Sequence, residues 1–273
     1  MDINKGLNGF QLKILALVFM TLDHIYYFFN GILPIPYIFT IIGRLAMPIF
    51  VFLSTEGFRH TKNRKKYILR LYLFSVGMGL LNIFTETCFP SPVGTFYGCN
   101  IFATIFYIIY FLSCLEEIFN YKNNKIRAIA GCIVLILPFL IQEAIIFIID
   151  LLTASGIFIP QKIYSFIDYL SVILPLPLSV EGGIIVITFG VALYFAGKRK
   201  TALSAVLAVF SLFYLPLSIR YGFDNVCQFA MILALPFILS YNGERGKNAK
   251  YMFYFYYPMH IFLITVAAWF IGR

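Results

Sequence analysis

Apolar runs about twenty residues long follow one another along most of this chain, with short polar loops between them. A helix needs about 20 residues to cross a hydrocarbon core of roughly 30 Å. The runs fall near residues 10–29, 35–58, 67–84, 100–118, 127–151, 180–197, 201–218, 225–241 and 251–271. The stretch 153–178 holds Pro160, Pro175 and Pro177 around Asp168, and it reads as a surface or partly inserted segment rather than a full span. At 61% hydrophobic and 12% charged residues, the chain departs far from the ~45–50% and ~25% of soluble domains. The expected fold is all-α: a polytopic membrane bundle of nine or ten spans, built as one domain over residues 1–273. No A-x-A site follows the first run, and Asp23-His24 interrupts it, so it is expected to remain as a span.

A net charge of +9 would suggest nucleic acid in a soluble protein. Here the cations gather in RHTKNRKK, YKNNKIR, GKRKT and NGERGKNAK, which alternate along the chain with loops poor in lysine and arginine. That is the positive-inside pattern. It places the N-terminus in the cytoplasm and, with nine spans, the C-terminus outside. The usage of Ile, Asn, Lys and Phe points to an AT-rich bacterial genome, hence to the cytoplasmic membrane of a bacterium. The five cysteines lack metal-ligand spacing. Cys114, Cys132 and Cys227 read as packing residues, and a Cys88–Cys99 disulfide in one outer loop is permitted but not required.

Ionisable side chains within the apolar runs carry the functional signal, because facing lipid costs each one ~2.5 kcal/mol or more. Lys13 and His24 are eleven residues apart, close to three full turns, so they share a face about 16 Å apart along the axis. Asp23 points about 100° away from His24. Arg44 requires an acceptor, and Asp23 on the preceding run is the nearest in topology. Glu56 reads as either a site residue or an interfacial one facing the basic loop. Lys66 and Arg70, one turn apart, sit in a cationic rim with Arg59, Lys62, Arg64 and Lys65. His60 lies in that rim. Tyr256 and His260 share a face, and Pro258 frees backbone one turn below the histidine. Each has a plainer reading. Lys13 suits a snorkelling anchor, both histidines suit hydrogen-bonded bundle residues, and the rim suits lipid headgroups. Asn82, Asn100 and Gln228 read as cross-bonds between helices. No phosphate-loop, H-E-x-x-H or C-x-x-C motif occurs.

Three passages, DHI at Asp23–Ile25, GRLAMPIFVFLSTEGFRHTKNRKKYILRL, and NGERG followed by KYMFYFYYPMHIFLI, resemble the TraX family of bacterial membrane proteins. The family takes its name from an N-acetylase of conjugative pilin and is similar in design to the acyltransferase-3 superfamily. That superfamily has a Lys/Arg-x10-His pattern in its first span, which Lys13 and His24 match. It also has an arginine pair at the third span, whose nearest equivalents here are Arg64 and Arg70 with Lys66, at a different spacing. The resemblance implies acetyl-CoA as donor, an extracytoplasmic acceptor such as a pilin amino terminus or an envelope glycan, and no metal. The expected roles are His24 as general base, Asp23, Arg44 and His260 as its supports, and Lys13, Lys66, Arg70 and Arg64 as contacts for the donor. A proton-coupled transporter and a non-catalytic secretion subunit are the rival readings.

Overall fold

The computed structural model describes residues 6–91, 100–120, 122, 124–155, 160–222 and 227–273. Among them there is no strand, only isolated bridges between helices. The helices are α1 (Gly9–Phe29), α2 (Ile38–Gly43), α3 (Ala46–Arg59), α4 (Arg64–Cys88), α5 (Ile101–Phe119), α6 (Lys125–Ala154), α7 (Gln161–Ile173), α8 (Gly183–Ala196), α9 (Lys200–Tyr221), α10 (Leu235–Leu239) and α11 (Lys250–Ile271). A 3-10 stretch, Gln228–Ala234, leads into α10.

Among the described residues, seven helical segments are long and apolar enough to cross a membrane, counting Ile38–His60 as one. The two remaining expected spans are shorter. Residues 180–197 yield only the 14-residue α8, and residues 225–241 yield the 3-10 stretch and five-residue α10. Residues before α8 are irregular and contain Pro175, Pro177 and Gly182. The 153–178 region contains α7, whose 13 residues fall below spanning length. The turn near Arg220–Asp224 and the Cys88–Cys99 pairing lie partly outside the described residues.

The described residues pack as two compact units. The first draws on Met1–Arg59, Leu81–Tyr97 and Ala192–Arg273, and the second on His60–Leu80 and Gly98–Val191. Apolar burial gives little drive between helices in lipid, so close packing and internal hydrogen bonds hold each unit together.

In the first unit, α1 opens with a capping box: the side chain of Asn8 accepts from the amide of Gln11, and the side chain of Gln11 accepts from the amide of Asn8. Just before it, Leu7 donates to the carbonyl of Ser240 at 2.8 Å and accepts from the amide of Asn242 at 2.9 Å. The 240–246 loop is thereby fixed at the start of α1. At the other end of α1, a Cβ on Gly43 would collide with the side chain of Asp23, so glycine there permits α1 and α2 to meet closely. Helix α11 lies along α1 in the same direction, for Phe10 meets Phe253 and, further on, His24 meets His260.

In the second unit, Gly131 of α6 approaches the backbone of α5 at Cys114. Pro138 removes the amide that would bond the carbonyl of Val134, and the Tyr110 hydroxyl donates to that carbonyl instead at 2.6 Å. Non-helical backbone between α7 and α8 is held by side chains. Tyr72 donates to the carbonyl of Ile173, Tyr107 to that of Pro175, and Thr104 to that of Glu181. Gln142 accepts from the amide of Leu178 and donates to Ser179. Irregular backbone at membrane depth persists only when protein supplies such partners.

Candidate functional site

The shared face of Lys13 and His24 is turned toward α11. The Lys13 ammonium sits 5.2 Å from the centre of the Phe253 ring, a cation–π contact. Two turns beyond, the Thr21 hydroxyl and the Tyr256 hydroxyl lie 2.8 Å apart. One turn further, His24 Nδ1 and His260 Nε2 share a hydrogen bond of 2.7 Å. Both histidines are 7% exposed. Their rings lie within 19° of parallel, and the Tyr256 ring stacks on His260 within 17°. Tyr257 and Phe28 meet His24 edge-on.

The proton order in this chain follows from its far end. His260 Nδ1 lies 3.0 Å from the carbonyl oxygen of Tyr256. A carbonyl only accepts, so Nδ1 of His260 donates. In a neutral ring Nε2 then accepts, and the proton of the inter-histidine bond belongs to Nδ1 of His24. His24 Nε2 is left carrying a lone pair. The acceptor is the carbonyl four residues before His260, not the one at Tyr254 that Pro258 relieves of its usual amide. The ring bonds within its own turn rather than filling the defect made by proline.

Asp23 occupies the neighbouring face and points away from His24. Its carboxylate forms an ion pair with Arg44 and accepts from the Thr40 hydroxyl at 2.8 Å. Arg44 also donates to Gln228 at 3.2 Å and to the carbonyl of Thr40 at 3.3 Å. Arg44 stands where the helix breaks between α2 and α3, which frees its side chain to reach three segments: α1, α2 and the 3-10 stretch. Thr40 belongs to this cluster although sequence reasoning did not single it out. Nothing distinguishes one threonine in an apolar run until its partner is known. Gln228 does cross-bond segments.

Glu56 meets the basic stretch at its first residue, from a buried position. It is 4% exposed and pairs with Arg59 at 2.9 Å. Arg59 in turn donates to the carbonyl of Tyr194 and lies over that ring, so it ties α3 to the end of α8. His60 is exposed.

The remaining expected donor contacts belong to the second unit. Arg64 is held by both carboxylate oxygens of Glu116 on α5. Lys66 is exposed and Arg70 half-buried, one turn apart on α4. Among the described residues no group of three or more His, Cys, Asp or Glu side chains could hold a metal ion.

The arrangement can accept a proton at His24 Nε2 and spread the resulting charge to His260. Comparison with known proteins adds two findings. A family profile described as TraX protein matches residues 8–268. The chain is also 38% identical over 77 residues to the probable fimbrial assembly protein FimC, serogroup H1, of Dichelobacter nodosus. That stretch is 28% of this chain and spans about a third (32%) of the relative's length. No solved structure matches the chain.

Proposed function

The chain belongs to the TraX family, and from that premise we propose that this multi-pass membrane protein is an acetyltransferase. It moves an acetyl group from cytoplasmic acetyl-CoA to an amine or hydroxyl on the far side of the bacterial cytoplasmic membrane. One observation carries the reading: the chain from the Tyr256 carbonyl through His260 to His24, which leaves a basic nitrogen at the deep end of the Lys13 face.

His24 Nε2 removes a proton from the acceptor's amine or hydroxyl as that group attacks the thioester carbonyl. The C–S bond breaks, and His24 returns the proton to the departing thiolate. His260 accepts the hydrogen bond of the transient imidazolium. Asp23 adds a negative charge next to His24 in sequence, and Arg44 with Thr40 holds that carboxylate in place. Lys13 attracts the donor's phosphates, and its ~16 Å separation from His24 suits an extended pantetheine arm. Lys66 and Arg70 belong to the other unit, so the proposal rests on Lys13 alone.

Topology supports the same direction of transfer. Helices α1 and α11 run parallel, which requires an odd number of crossings if both span. We take both short apolar segments as crossing, which makes nine spans, and the positive-inside pattern of the loops supports a cytoplasmic N-terminus. The likeness to a fimbrial assembly protein supports a pilin-like acceptor.

The test is acetyl transfer from labelled acetyl-CoA to peptide amines by purified protein in nanodiscs. Wild-type protein transfers label and His24→Ala does not. A folded His24→Ala protein transferring at the wild-type rate overturns the base assignment.

A further inference from the structure

Two carboxylates, Glu143 and Asp150, stand on an exposed side of α6. Buried Gln142 marks the packed side. At ~100° per residue Leu140 and Phe147 fall roughly opposite Gln142, and Glu143 and Asp150 lie together about a quarter turn from it, along one edge of that stripe. All are exposed, Leu140 to 61% and Phe147 to 66%.

The 30 residues of α6 extend ~45 Å, against a hydrocarbon core of ~30 Å. No position along the bilayer normal suits the far end of this helix. If hydrocarbon starts after Lys125 and Arg127, about 20 residues of crossing reach beyond Glu143, whose carboxylate then faces acyl chains. Shifted outward until Glu143 meets headgroups, the helix leaves Phe147, Ile148 and Leu151, each at least 54% exposed, standing in water. Tilt alone would have to approach roughly 50°, beyond the usual range.

We propose that this stripe docks an apolar helix of another polypeptide that carries lysine or arginine side chains seven residues apart. Such a helix covers Leu140 and Phe147 and meets Glu143 and Asp150, two turns apart, with opposite charge in a medium of low dielectric. A second copy of this chain is the poorer occupant, because a two-fold interface sets like against like, carboxylate against carboxylate. The proposal stands on α6 alone and does not depend on acetyl transfer.

The test uses the full chain, fluorescently labelled, in zwitterionic vesicles with synthetic apolar helices bearing two Lys, two Glu or two Gln residues seven apart. Energy transfer should show the Lys helix associating roughly tenfold more tightly than the Gln helix, and the Glu helix most weakly. Glu143→Gln/Asp150→Asn should erase that order, and Glu143→Lys/Asp150→Lys should reverse it. These side chains are exposed, and unchanged melting temperatures will show that the variants fold. Three results overturn the proposal: equal association of the three helices, an order that survives the neutral variant, or Phe147→Cys copies that cross-link to each other in the absence of peptide.

Discussion

Nδ1 of His24 donates to Nε2 of His260 across 2.7 Å, and the Tyr256 carbonyl holds the opposite nitrogen of His260. The second histidine therefore sets the tautomer of the first. Nitrogen-15 spectra of the protein should show both rings neutral and protonated at Nδ1. His260→Ala should lower kcat by about 10- to 100-fold with KM for acetyl-CoA little changed, since general acid–base assistance is worth about 10²–10⁴ in total. A His24 that keeps its tautomer and rate in that variant would remove His260 from the proton path.

Arg44 and Asp23 are 28% and 18% exposed, neither fully wet nor fully dry. Arg44→Ala leaves the carboxylate half-buried without its cation and should cost ~1–3 kcal/mol, between the surface and buried limits. Asp23→Asn in the same protein should recover much of that loss, read from thermal melting in detergent.

Gly43→Ala places a methyl group on the Asp23 side chain. The α1–α2 contact must then open, at a cost of ~1–3 kcal/mol. Melting temperature should fall, and acetyl transfer should fall with it if Asp23 positions His24.

Tyr256→Phe keeps the ring on His260 and loses only the bond to Thr21. The expected cost is ~0.5–1.5 kcal/mol. Thr21→Val also loses its donation to the Leu17 carbonyl and should cost more, and the two together no more than Thr21→Val alone. Additive losses would mean that the hydroxyls act separately.

Tyr110 supplies the hydrogen that Pro138 denies to Val134. Tyr110→Phe should destabilise the protein by ~1 kcal/mol. In a Pro138→Ala background, where the backbone amide returns, the same change should be nearly neutral.

Helical class and the places of seven long segments were legible because lipid leaves the backbone so few choices. Residues 180–197 and 225–241 were read as ordinary spans because hydropathy reports composition and not backbone form. The irregular backbone beside them has partners far away in sequence: Gln142 bonds Leu178 and Ser179, and Arg44 bonds Gln228. The Lys13–His24 face followed from helix periodicity alone. That His260 meets His24, and that Arg44 reaches Asp23, Thr40 and Gln228 together, depended on tertiary placement. Glu56 was ambiguous because a carboxylate at the end of an apolar run looks alike whether it sits at the interface or, as here, is buried against Arg59.

The two histidines are separated by 236 positions, one contributed by the first long helix and one by the last. During synthesis the early ring enters the bilayer and waits while every other segment is inserted. A nascent protein arrested anywhere before residue 260 would be anchored yet lack the bond that fixes the proton on His24. On the proposed mechanism, chemistry could begin only after residue 260 had been made and had met His24.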